Sequence, residues 1–366
     1  MDVNEKLLQV CRQFRIEGEY LGYETIQMGN VNRTYRVDFR LPDGKPKSFL
    51  VQDVNTYAFR NPVGLMDNID KVTEHIRRKK PGQVTLHFHH TADRKTYVID
   101  GDDFWRMCNY VPSVTYNVVT DLNIVRNAGM AFGEFQTDLA DFDSAQLIET
   151  IPGFHNTRKR YESLWQAVRE DPAGRVAEVR EELAWLKSVE DQACILTDLQ
   201  NAGQLPLRVT HNDTKINNVL FHPTDNSAMV VIDLDTVMPG LMGHDFGDAI
   251  RFACNYVEED CPAYEKAGVN LEVFRAFAEG FLSKTAPSMT DKEAQTLAVS
   301  CFDLTAELCV RFLDDYIRGD KYFNIKYPNH NLVRTRCQIA LAKDMLKKMD
   351  EMDSIIRQCV NKSRAC

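Results

Sequence analysis

The feature that most constrains this chain is one stretch, residues 207–251, LRVTHNDTKINNVLFHPTDNSAMVVIDLDTVMPGLMGHDFGDAIR. It packs His211, Asp213, Asn218, Asp233, Asp235 and Asp245 into a span too short for a domain. Apolar runs separate the polar sets: Leu207 and Val209 before, residues 219–221 between, and residues 229–232 just ahead of Asp233. That alternation predicts a short strand feeding a loop, then a tight pair of strands around a turn at residues 223–227. The loop carries His211, Asn212 and Asp213, and the second strand delivers Asp233 and Asp235 at its end.

Acids, amides and a lysine so placed are what metal-assisted phosphoryl transfer needs. A kinase-type catalytic loop has the form His-x-Asp-x-x-x-x-Asn, with a metal-binding Asp further on, after a strand. His211, Asp213 and Asn218 fit that form residue for residue. On this pattern Asp213 accepts or orients the proton of an attacking hydroxyl. Asn218 holds one Mg²⁺ and Asp233 holds metal bridging the terminal phosphates, because hard cations take oxygen ligands from one or two carboxylates plus phosphate. In a plainer reading the HND tripeptide merely begins a turn and the later acids are solvated. That would account for His-x-Asp alone, but not for Asn at the matching offset and a strand ending in Ile232-Asp233.

Hydrophobic content of 44% and charged content of 27% over 366 residues describe an ordinary globular protein of one large or two moderate domains. Net charge is −9, and the one cationic run, Arg77 to Lys80, ends a helical pattern (Leu65, Ile69, Val72, Ile76) where cations face the dipole. Nucleic acid is therefore not an expected partner. Ten cysteines without a Cys-x-x-Cys read as free buried thiols. The first residues show an amphipathic helix (Leu7, Val10, Phe14) and no signal-peptide core, and no run reaches the roughly 18 apolar residues of a membrane span. A cytoplasmic monomer, away from membranes, is the expectation.

Short alternating runs dominate residues 23–110: strands at 34–39 and 48–54 around the turn Pro42-Asp43-Gly44, the helix at 65–76, then strands at 84–89, 96–99 and 104–110 with a turn at 100–102. Helical spacing follows, through Ile124 to Leu139, Leu164 to Val168, Val176 to Leu186, residues 271–281, 298–317 and one long helix at 332–359. The fold class expected is therefore α+β and bilobal: a small, mainly antiparallel β lobe with one helix (1–110) and a large helical lobe (111–366). The turn holding Gly29, Asn30 and Asn32 stands where a phosphate-covering loop would sit. Gln52 lies near the end of the strand at 48–54, where a kinase carries a lysine. A neutral amide can hydrogen-bond a phosphate but cannot neutralise it, so another cation or the magnesium must compensate. The group His87, His89 and His90 looks like a metal cluster, but strand-like alternation puts His90 on the opposite face from one useful pair, and no Cys or acid is expected to partner it.

With these residues in view the chain resembles the aminoglycoside phosphotransferase-like small-molecule kinases of protein-kinase-like fold, and among them the N-acetylhexosamine 1-kinases. The resemblance spans nearly the whole chain. It rests most on IPGFHNT (151–157), residues 207–220, VIDLDTVMPG (231–240), DFGDAIRF (245–252) and residues 311–336. It implies ATP- and Mg²⁺-dependent phosphorylation of the anomeric hydroxyl of N-acetylglucosamine or N-acetylgalactosamine. By position it makes Asp213 the catalytic base, Asn218 and Asp233 the metal ligands, and Asp245, with His211, the brace of the loop. Adenine is expected against Cys108, Asn109, Tyr110 and Val111. Asp235, Arg311 and Tyr322 join Asp213 as candidates for the sugar. Plainer roles exist for each: Arg311 has Glu307 and Asp315 at i−4 and i+4, Tyr322 could pack in the core, Asp235 could cap a turn, and His155 could be structural. The alternatives in function are a same-fold kinase for another small alcohol (an aminoglycoside, choline or homoserine) and a nucleotide-binding regulator without turnover.

Overall fold

The computed structural model describes residues 2–26, 31–117 and 121–365. The chain opens on α1 (Val3–Gln13), where the Asp2 carboxylate accepts from the Glu5 N–H at 2.7 Å and caps the first turn. Its apolar stripe, Leu7, Val10 and Phe14, is buried as the spacing predicts. β1 (Glu19–Ile26), β2 (Arg33–Arg40) and β3 (Pro46–Asp53) follow, then α2 (Pro62–Lys79), β4 (Tyr97–Asp100) and β5 (Asp103–Asn109). These strands form one antiparallel sheet in the order β1-β2-β3-β5-β4. One face, through Val37, Phe39, Phe49, Val51 and Met107, closes on α1, because alternate strand residues share a side. The turns at Gly44 (φ +82°) and Gly101 (φ +67°) take the left-handed backbone glycine permits.

The remainder is mostly helical: α3 (Leu122–Asp138), α4 (Thr157–Glu170), α5 (Arg180–Ala193), α6 (Ile195–Asn201), then short strands β6 (Arg208–Thr210), β7 (Val219–Phe221), β8 (Ala228–Val231) and β9 (Met238–Gly240). α7 (Met242–Ala253), α8 (Leu271–Thr285), α9 (Asp291–Ile317), α10 (His330–Lys347) and α11 (Met349–Ala365) complete the chain. The expected α+β class and the hairpin at residues 219–231 are both present, β7 and β8 pairing antiparallel. β6 pairs with β9, which draws the two halves of the polar stretch together.

Two expectations need correcting. Residues 84–89 are not a strand: Phe88 alone bridges Cys108, while His89 N–H donates to Met107 O. β4 already occupies that edge of β5 from Asp103 to Arg106, which leaves only the strand's last residues to pair with. The long helix expected over 332–359 breaks at Lys348, whose Nζ donates to Val269 O at 2.9 Å and to Asp344 at 2.7 Å. The apolar period continues through the break because Met345 and Met352 are both buried.

α7 holds the site and is itself held firmly. Phe246 packs on Phe274, Phe277 and Phe281 of α8, and burying each ring stabilises the fold by roughly 1.5–3 kcal/mol. On its other side Gly247 lies against α9; a Cβ there would meet the Ser300 carbonyl oxygen at 2.5 Å. Nine described cysteines are free and eight of them are buried, as expected. No helix among the described residues is long and apolar enough to cross a membrane.

Candidate active site

Beyond β6 the chain turns through Asn212 in left-handed backbone (φ +63°), a conformation a non-glycine residue adopts only when its surroundings impose it. Asp245, in the first turn of α7, supplies that constraint. Its carboxylate accepts from His211 N–H at 3.0 Å and Asn212 N–H at 2.7 Å, and from the Gln136 side chain. Burial drives this acid above the usual carboxylate pKa, while His211 and the two amides pull it back. Asp248, one turn on, accepts from Thr214 N–H at 2.9 Å and is forked by Arg251. His211 is fully buried between Phe132 and Phe135, with ring centroids at 5.7 and 5.8 Å. Its Nδ1 accepts from Asp213 N–H, so Nε2 carries the proton it donates to Ile232 O at 2.8 Å. The ring therefore spans from the loop to the end of β8.

Asp213, Asn218 and Asp233 meet around that span. Asn218 Nδ2 donates to Asp213 O at 2.8 Å and lies 3.3 Å from its Oδ2. Its amide nitrogen is thereby committed, and Oδ1 is left without a protein donor among the described residues. Ile232 N–H donates to Asn218 O at 2.8 Å, which stitches the residue before Asp233 to the loop. Asp233 is again left-handed (φ +61°). Protein crowds around it, yet its own surface is exposed to solvent. That crowding, then the charges of Asp235 and Asp213, raise its pKa to about 6. Lys215 Nζ stands 2.8 Å from Asp213 Oδ1. Burial would lower its pKa, but Asp213 and Asp248 outweigh that and raise it. Among the described residues no three His, Cys, Asp or Glu form a ready-made metal cage. The free Asp233 carboxylate and Asn218 Oδ1 are nonetheless hard oxygen donors that fit Mg²⁺, an ion usually held by one or two protein ligands plus phosphate and water.

From the sheet, Gln52 on β3 faces Arg106 on β5 in register. Gln52 Oε1 accepts from Arg106 Nε at 2.9 Å, and its Nε2 donates to Thr34 at 3.0 Å. Arg106 also forms a buried ion pair with Asp235 through Nη1, each side chain being 3% exposed. The second Asp235 oxygen accepts from Asn32 Nδ2 at 2.7 Å. Asp235 is thus tied through both oxygens, to β5 and to the residue just before β2. Gly29 and Asn30 lie outside the described residues. At the strand's end, Asn109 is anchored by its side chain to His87 N–H and Thr85 O, and Tyr110 N–H donates to Ser48 O. Val111 N–H has no protein acceptor among the described residues, while Cys108 is buried against the core of the helical part.

A second polar group surrounds Glu307 on α9. Glu307 accepts from His155 Nδ1 at 3.2 Å and pairs with Arg311 Nη1 at 3.7 Å. Burial would raise its pKa, but His155, Arg311 and Arg160 outweigh it and hold it at about 2. Arg311 is no surface ion pair: its guanidinium lies over Phe154 (5.3 Å) and Phe323 (5.6 Å), and Glu307 is 2% exposed. Asp315 instead accepts from the N–H groups of Lys321, Tyr322 and Phe323, fixing the loop after α9. Tyr322 stands outside the core, 71% exposed.

His244 stacks near His155 with centroids 4.8 Å apart, and burial, then the charge on His155, push its pKa to about 3. An unfolded chain protonates this ring near 6.5. Between these values the unfolded state carries the extra proton, so stability falls as pH drops through the window, by up to about 1.4 kcal/mol per unit. Urea unfolding at pH 7 and pH 5 should show the loss, and His244→Gln should flatten it.

Lys215, Asp248, Arg106 and Glu307 were not picked out as site residues by the sequence. Lys215 follows Asp213 by two positions, and Asp248 follows Asp245 by one helical step, so both could have been read from the motif. A lone charge inside the strand FWRMCN was the one sign of Arg106.

A small antiparallel sheet over a helical part, with an acid- and amide-bearing loop between paired short strands, defines a kinase-like phosphotransferase fold. The chain matches the model of the phosphotransferase enzyme family over residues 22–277, and it belongs to that family. Solved structures share the fold at low identity. A microcompartment-associated aminopropanol kinase is 13% identical, with 96% of this chain and 99% of that one covered at a TM-score of 0.61. A spectinomycin phosphotransferase, in complex with ADP and spectinomycin, is 12% identical with the same coverage and a TM-score of 0.57. An amicoumacin kinase, in complex with AMP-PNP and Ca²⁺, is 10% identical, covering 97% and 93% at 0.53.

Proposed function

We propose that the protein is an ATP- and Mg²⁺-dependent sugar kinase that phosphorylates the anomeric hydroxyl of N-acetylglucosamine or N-acetylgalactosamine. The observation that carries the kinase reading is the Asn218 amide turned onto Asp213, with its oxygen free and Asp233 open beside it. In this reading Asp213 bonds the attacking hydroxyl and takes its proton as the O–P bond forms, and ADP leaves. Lys215 holds the Asp213 carboxylate in place and offsets its charge. Asn218 and Asp233 hold Mg²⁺, which neutralises charge on the phosphates when bound. His211 and Asp245 keep the loop in shape, and Val111 N–H is open to the adenine edge. Loose phosphoryl transfer asks for little beyond positioning and charge.

We place the acceptor against the group around Glu307, as the resemblance implies, and a neutral one suits it. Arg311 stands clamped between two rings, its nearest acid is already paired, and Tyr322 offers an exposed ring and hydroxyl. An ammonium-bearing acceptor would meet arginine there instead of a free carboxylate. The rival is a kinase for an amino alcohol or aminoglycoside, the acceptors of the fold's relatives. Magnesium-dependent ADP release across both N-acetylhexosamines, other free sugars, amino alcohols and aminoglycosides decides between them. Release with an N-acetylhexosamine, giving a phosphate on C1 by ³¹P NMR, is expected. Release with amines alone would overturn the sugar reading, and nucleotide binding with no release at all would favour a regulator.

A further inference from the structure

The sheet places no lysine at the end of β3, yet it does not leave the cleft without a cation. Arg106 stands directly across from Gln52, on the neighbouring strand and in register. Four features hold its guanidinium: Gln52 Oε1 on Nε, Asp235 on Nη1, the Phe88 ring at 5.7 Å and Met66 Sδ at 3.9 Å. Nη2 is the exception, with no protein acceptor among the described residues. A buried guanidinium with one nitrogen still unpaired can donate from it to a phosphate oxygen. Its charge also reaches Asp233, two residues from its partner.

We propose that Arg106 is the cation that receives the nucleotide's phosphates, supplied from β5 in place of a β3 lysine and aimed by Gln52 and Asp235. The proposal rests on the kinase reading. Its logic is one of charge: Asp213, Asp233 and Asp235 together repel a polyphosphate, and of the cations near them Arg106 is the one carried by the sheet. Gln52 then has a defined task. Its amide oxygen fixes the guanidinium plane, a role the ammonium of a lysine at that position could not fill.

The test is calorimetric titration with ADP in EDTA and, separately, with AMP-PNP and Mg²⁺. Arg106→Gln alone leaves Asp235 buried without its partner, so the informative variant is Arg106→Gln with Asp235→Asn, which removes both charges. Its melting temperature should return toward wild type while both nucleotides bind roughly tenfold or more weakly. Adding Gln52→Lys to that pair should recover most of the lost affinity. Wild-type binding by the double variant, a loss seen only when Mg²⁺ is present, or no recovery with the lysine would each overturn the proposal. If the wild-type protein binds neither nucleotide, the kinase reading itself fails, which is a separate outcome.

Discussion

Asp213→Asn is expected to lower turnover by about 100-fold or more while nucleotide affinity stays within a fewfold of wild type. The substitution keeps the shape of the side chain and its place beside Lys215 and Asn218, but removes the charge that, on the proposed reading, takes the hydroxyl proton. Lys215 then faces a neutral amide, and the hydroxyl loses its acceptor at the moment the new O–P bond forms. Steady-state assays with separate titrations of ATP and acceptor check this: kcat should carry the loss and KM for ATP should not. Wild-type turnover would take the base's role from Asp213.

The second large effect is structural. Asp245→Ala removes the acceptor of two backbone N–H groups and the Gln136 amide, all in the protein interior. Each buried donor left unmade costs about 1–3 kcal/mol, so roughly 3 kcal/mol or more of stability should vanish, together with the left-handed turn at Asn212. Urea unfolding measures the first loss. Activity measured below the new midpoint should also be low, because the loop that carries Asp213 no longer has its brace. An alanine variant as stable and active as wild type would show that the loop keeps its shape by other means.

Local geometry was legible in the sequence and long-range partnership was not. His211, Asp213, Asn218 and Asp233 stand within one stretch whose apolar spacing dictates the strand, loop and hairpin that gather them. Asp235 looked like a group for metal or substrate, whereas its carboxylate is tied to Arg106 and Asn32, residues far away in sequence that strand pairing brings near. Arg311 had a ready explanation as a surface pair at i−4, and only the packing of Phe154 and Phe323 shows it to be clamped. The strand expected at 84–89 failed because alternation says nothing of whether an edge is already occupied. The break at Lys348 failed to register because apolar period runs through it unchanged, and the lysine's bond to Val269 O is tertiary.

Asn212 and Asp233 are both left-handed, and the Asp245 carboxylate holds the first of these turns through the N–H groups of His211 and Asn212. The conformational freedom that a loose loop would surrender on meeting its substrates has already been given up during folding. On the proposed reading, complex formation draws on contact energy without first ordering this backbone, which is how preorganisation turns modest contacts into rate.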